Sequence, residues 1–136
     1  MSGITDLAKL LSSLKPKLID GEFVFLTLPD GRYGDGKELH PVASFAEPEG
    51  LTLIVPKGRA EAAGVDFDGV FRLISLQVHS SLEAVGLTAA VAEALAAKGI
   101  SANVVAAFYH DHLFVPASRA DEALNALSEL AAKHQP

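Results

Sequence analysis

Val55-Pro56-Lys57-Gly58-Arg59-Ala60-Glu61-Ala62-Ala63 returns at a constant offset as Val115-Pro116-Ala117-Ser118-Arg119-Ala120-Asp121-Glu122-Ala123. Five positions are identical and a sixth keeps its carboxylate, which is more than a shared composition produces. In each copy the end of an apolar run passes into a helix-forming run. Pro56 opens a short helix that Gly64 ends, with proline at the start and glycine past the end. In the second copy Ser118 is spaced to cap a helix with Asp121 three positions on, and that helix buries Ala120, Leu124, Leu127 and Ala131 on one face.

Outward from the repeat, the neighbouring elements match as well. Val42–Glu47, a Pro48-Glu49-Gly50 turn and Leu51–Val55 read as a hairpin; Val104–Tyr109 and Leu113–Val115 read as another around His110-Asp111-His112. Further back, Val70–Val78 is strand-like, and the Ala-rich pattern from Leu87 to Lys98, stopped by Gly99, is helical. The repeating unit is (β)αββα. That predicts an α/β (α+β) sandwich of ferredoxin-like type: two βαββαβ units side by side, residues 1–66 and 67–136, with shared or exchanged edge strands. The second unit ends in its helix, with only Lys133–Pro136 left to follow, so it has no last strand of its own. Glu22–Leu28 (EFVFLTL) is a strand surplus to the first. Because an open sheet edge invites pairing, Glu22–Leu28 or a second chain is expected to cover it. Ile4, Leu7, Leu11, Leu14 and Leu18, with Asp6, Lys9 and Lys15 between them, predict an amphipathic helix at the N-terminus.

A chain of 136 residues suffices for one compact domain or two small units sharing a core. Its 11 basic and 17 acidic side chains give a net charge of −6 with no Lys/Arg run, so neither nucleic acid nor an anionic membrane is an expected partner. The absence of Cys removes disulfides, thiolate metal ligands and a cysteine nucleophile, and is compatible with a reducing cytoplasm. No run of apolar residues has the length of a signal core or membrane span, so a soluble cytoplasmic protein is expected.

The blocks HSSLEAVGLTAAV (79–91), GISANVVAAFYHDHLFVP (99–116) and EPEGLTLIVP (47–56) resemble ACT domains, and nearly the whole chain resembles stand-alone bacterial proteins made of two ACT-like units. The serine-rich loop is also similar to that of the cytosolic arginine sensors of animals. The resemblance implies a non-catalytic regulatory module without a cofactor. Its ligand, an amino acid, sits at an interface between ACT units, held by the loop between first strand and first helix and by polar residues starting the second strand. Carried onto this chain, those positions are Ser80, Ser81, Val85, Gly86 and Leu87 in the loop and Ser101 to Asn103 at the second strand. The loop departs from the commoner ACT pattern: Leu82-Glu83-Ala84-Val85 lengthens it, and no proline precedes Gly86. The expected partners are an amino acid, a second copy in a homodimer, and an enzyme under regulation.

Read from the residues, a polar, glycine-containing link between a strand and a helix start presents backbone N–H groups that lack helical partners, a setting that favours a carboxylate. Ser80 or Ser81 would assist, and Glu83 is placed for a ligand's amine; the bland alternative is a serine helix cap with Glu83 in solvent. Asn103 either reaches a ligand across an interface or fixes a turn. His110-Asp111-His112 offers the ligand types of zinc or iron, but it falls at the predicted hairpin tip, where strand alternation breaks down, and no third ligand accompanies it. His110 is therefore placed at the ligand or dimer contact, and no metal is expected. A Ser/His/Asp hydrolase assembled from Ser80 or Ser81, His79 or His110, and Asp111 lacks a Gly-x-Ser-x-Gly elbow. Gly31-Arg32-Tyr33-Gly34-Asp35-Gly36 has its glycines in the wrong order for a phosphate loop and leads into a strand, so it reads as a flexible hairpin or crossover loop.

Overall fold

Pro16 decides how the chain begins. It has no N–H and disfavours a helical residue before it, so the first helix stops at Ser12 rather than running to Leu18. The computed structural model describes residues 6–78 and 85–135. In chain order the elements are α1 (Leu7–Ser12), β1 (Pro16–Leu18), β2 (Phe23–Pro29), β3 (Ala43–Glu47), β4 (Gly50–Pro56), α2 (Lys57–Ala62), β5 (Phe71–Leu76), α3 (Leu87–Ala96), β6 (Asn103–Ala106), β7 (Asp111–Pro116) and α4 (Ala120–Lys133). Single 3₁₀ turns lie at Lys37–Leu39 and Ala117–Arg119. They form two compact units. One combines the chain up to Asp20 with everything from Arg72 onward, and the other is Gly21–Phe71.

In the discontinuous unit the sheet edge left open by the C-terminal half is filled by β1. Pro16, Lys17 and Leu18 pair antiparallel with Leu76, Ser75 and Ile74. This corrects the expectation that Glu22–Leu28 or a second chain takes that place: the covering strand comes from the segment expected to be helical. Its neighbour β5 lies beside β7, and β6 pairs antiparallel with β7 from Asn103↔Phe114 to Ala106↔Asp111. The three helices of the unit bury one shared core. Leu10, Leu11 and Leu14, then Leu87, Val91 and Leu95, then Ala123 and Leu127 pack with Ile74, Leu76, Leu113 and Val115 of the strands. Alternation along β5 therefore sends Ile74 and Leu76 toward the helices and Ser75 to the opposite face.

The predicted Ser118 cap does not form. A 3₁₀ turn precedes α4, and Arg119 stands at its N-cap without a capping side chain. Arg119 instead pairs with Glu122 (2.7 Å) and donates to the carbonyls of Lys98 (2.9 Å) and Gly99 (3.4 Å), tying the start of α4 to the end of α3.

In the second unit β2 runs its full length antiparallel to β4, from Phe23↔Pro56 to Pro29↔Gly50, and β3 takes the other side of β4. The surplus strand of the sequence reading is thus this unit's first strand. No α-helix joins β2 to β3; the connection holds only the Lys37–Leu39 turn, whose Leu39 enters a core with Val24, Leu26, Leu51, Leu53, Val55 and Ala60. Phe71 closes the unit by pairing with Phe23 and meeting the Phe25 ring edge-on at 5.1 Å.

Candidate functional site

At the head of α3, the N-cap residue Gly86 adopts a left-handed conformation (φ 96°) and has no side chain of its own to cap the helix. Only glycine takes that conformation without strain, which is why it punctuates the loop. Leu87 is buried in the core and fixes the helix start, whereas Val85 is 82% exposed. A Cβ on Gly86 would come 3.1 Å from Leu7 Cδ2, so α1 lies against the helix start. Ser80, Ser81 and Glu83 lie outside the described residues.

The other half of the expected site is elsewhere in the unit. Ser101 lies two residues past Gly99, whose carbonyl accepts from Arg119 at the far end of α3. A helix of 10 residues is roughly 15 Å long, so Ser101 and Asn103 stand at the opposite end from Gly86. Both are exposed, and Asn103 Nδ2 donates to the Phe114 carbonyl across the hairpin at 3.4 Å. Among the described residues, one copy of the unit does not gather Val85, Gly86 and Leu87 into one pocket with Ser101 and Asn103.

What does lie at the loop end is the His-Asp-His segment. The hairpin turn falls on Phe108 and Tyr109, closed by Ala107 N–H donating to the His110 carbonyl (3.0 Å), so Asp111 and His112 belong to β7 rather than to the tip. His112 Nδ1 meets Ser75 Oγ at 2.7 Å. Ser75 is one residue from the end of β5, the strand from which the chain departs toward Gly86. His110 Nδ1 is buried with no hydrogen-bond partner among the described residues. Ser75 escaped the sequence reading; its signal was a lone hydroxyl inside the apolar run Phe71–Leu76.

Alternation puts Asp111 on the face opposite His112, so the three do not converge as metal ligands. Among the described residues no group of three or more His, Cys, Asp or Glu is placed to hold an ion. Ser75 is only 4% exposed and its hydroxyl is engaged with His112, which suits a structural hydrogen bond and not a nucleophile.

Burial pushes the Asp111 carboxyl above its ordinary value, partly opposed by the charges of His112 and His110. Burial likewise holds His112 below the usual imidazole value, reinforced by His110 and opposed by Asp111. The signs are opposite in consequence. A His pKa depressed on folding means that stability is lost as pH falls through the unfolded value near 6.5; a raised Asp pKa means that stability is lost as pH rises above about 3.8. Urea denaturation at about pH 7.5 and about pH 5.5 checks the first. The native protein is expected to lose more of its midpoint over that interval than His112→Gln, whose amide keeps a partner for Ser75. Equal losses would remove His112 from the account. Asp111→Asn is expected to raise the midpoint at neutral pH.

ACT-domain sequence profiles match residues 2–72 and 70–129. The chain belongs to the ACT-domain family. Its two ACT units are α+β, antiparallel and ferredoxin-like, and ACT domains are regulatory ligand-binding modules rather than catalysts. A Vibrio cholerae protein of unknown function, described as a possible transport protein, is 52% identical over 96% of this chain and 99% of its own, with a TM-score of 0.84. An Agrobacterium tumefaciens protein is similar at 20% identity, covering 87% of this chain and 89% of its own, TM-score 0.72. The ligand-free regulatory subunit of aspartate kinase from Thermus thermophilus shares the fold at 13% identity, covering 87% of this chain and 98% of its own, TM-score 0.59. No curated protein is similar to this chain. No helix among the described residues is long and apolar enough to cross a membrane.

Proposed function

We propose that this ACT protein is a cytoplasmic sensor in which an amino acid binds at the head of α3, at an interface between two copies, and biases the activity of an associated enzyme. The reading rests on one observation: α3 opens on a left-handed Gly86, which brings no side chain of its own to the N–H groups of the first turn and lets a carboxylate approach them. Ser80 or Ser81 assists, Glu83 faces the amine, Val85 and His110 flank the ligand, and Leu87 anchors the cradle from beneath. Since Ser101 and Asn103 lie at the other end of α3, they come from the partner of a homodimer. The ligand acts by binding one packing of that interface more tightly than another; equal affinity would shift nothing.

Calorimetric titration and thermal shift with the twenty amino acids test the proposal. A specific ligand at a hundredfold excess over Kd contributes about 2.7 kcal/mol, on the order of 10 °C in melting temperature. A flat response with a persistent dimer would favour a ligand-free interaction module instead. That second reading draws on the hairpin tip, where Phe108 and Tyr109 stack edge to face (4.9 Å) and are each 62% exposed.

A further inference from the structure

The Gly21–Phe71 unit contains a cavity of about 320 Å³ that the Gly86 site does not use. Its origin is the missing helix between β2 and β3. A ferredoxin-like sheet needs cover over all its strands, but α2 is six residues long and the connection supplies only a 3₁₀ turn. Over the edge strand β3 the cover runs out. Ser44 is the register partner of Leu53, so Val42 and Ser44 point to the core face, yet Val42 remains 50% exposed. Leu51 and Leu53 close the floor.

The opposite wall is built rather than slack. Arg32 N–H donates to Asp35 Oδ2 (2.8 Å) and Asp35 N–H returns to the Arg32 carbonyl (2.9 Å), fixing the turn that carries Tyr33 and Gly34. Gly36 then rests on the floor: with φ 78°, an added Cβ would stand 2.6 Å from Leu53 Cδ1. Lys37 follows on the rim, its ammonium in no ion pair among the described residues, while one oxygen of Asp35 is already engaged by the turn. A single available cation above an apolar floor selects a molecule with one anionic head and a hydrocarbon body.

We infer that this cavity is a second, independent small-molecule site, taking a compact aliphatic carboxylate with its head at Lys37 and its body against Val42, Leu51 and Leu53. It does not depend on the sensor reading, because every lining residue lies in the Gly21–Phe71 unit. The probe is 4-methylpentanoate, titrated into the full-length ¹⁵N-labelled protein, with 4-methylpentan-1-ol as its uncharged counterpart. The acid is expected to shift the amides of residues 33–44 with a Kd on the order of 1 mM, suited to so few atoms, and the alcohol to bind at least about fivefold more weakly. Lys37→Gln should reduce acid binding to the level of the alcohol. Ser44→Trp, which fills the space from an exposed edge position, should abolish both while the remaining amide signals stay in place. No shift at residues 33–44 up to about 10 mM, equal binding of acid and alcohol, or undiminished binding by Lys37→Gln would each overturn the inference. So would shifts confined to residues 85–90, which belong to the other site.

Discussion

Leu10→Ala is expected to destabilise the protein by about 2–5 kcal/mol, the range for emptying a fully buried leucine site. The residue is 0% exposed and sits in the shared core with Leu14, Val91 and Leu127. Its helix has only six residues, too few to persist alone, so α1 exists because its apolar face is buried. That docking also places β1. Ile19 N–H donates to the Leu73 carbonyl (2.9 Å), Arg72 donates to the Ile19 carbonyl (3.2 Å), and Lys17 pairs opposite Ser75. Loosening α1 therefore weakens the strand that closes the unit's open edge, adding a cost beyond the cavity itself. Leu7→Ala, at a position 38% exposed in the same helix, is expected to cost under about 1 kcal/mol. Urea titration followed by far-ultraviolet circular dichroism measures both. Comparable losses from the two variants, or a loss below about 1 kcal/mol for Leu10→Ala, would show that the N-terminal segment is not part of the unit's core.

Local signals carried most of the fold. The duplicated Val-Pro-x-x-Arg-Ala segment located both hairpin-to-helix junctions, and Gly64 (φ 68°) and Gly99 (φ 70°) end α2 and α3 as their sequence positions predict. What failed was long-range. Leu14 and Leu18 satisfy a helical spacing, but Leu18 meets the same core from a strand whose partner, Ile74, lies far along the chain. Periodicity does not separate those two cases when a proline, here Pro16, intervenes. In the candidate site, the conformation of Gly86 and the burial of Leu87 follow from a glycine opening an apolar-periodic helix. The pairing of Ser75 with His112 does not, because it is made across strands 37 residues apart. The placement of Ser101 and Asn103 beyond the far end of α3 was legible, since the helical pattern runs from Leu87 to Lys98 and Gly99 stops it. The Gly31–Gly36 segment reads as a plain hairpin or crossover loop because nothing in its own sequence says that a helix is missing beneath it.

Gly86→Val should eliminate amino-acid binding and cost the fold about 1–3 kcal/mol. Two terms contribute. The left-handed backbone (φ 96°) excludes a β-branched residue, and the new Cβ approaches Leu7 Cδ2 at 3.1 Å. The second term yields readily, because the atom met is the far end of a partly exposed side chain; Leu7→Ala in the same background is expected to recover only a few tenths of a kcal/mol. The first does not yield, so valine pulls the backbone away from the left-handed turn that aims the first N–H groups of α3. Stability and binding then respond differently. In the double variant the melting temperature rises toward that of the native protein, while calorimetric titration with whichever amino acid binds the native protein still gives no heat. Recovery of binding together with stability would mean that ligand capture depends on the packing of α1 rather than on the Gly86 cradle. Undiminished affinity in Gly86→Val alone would remove the head of α3 from the site altogether.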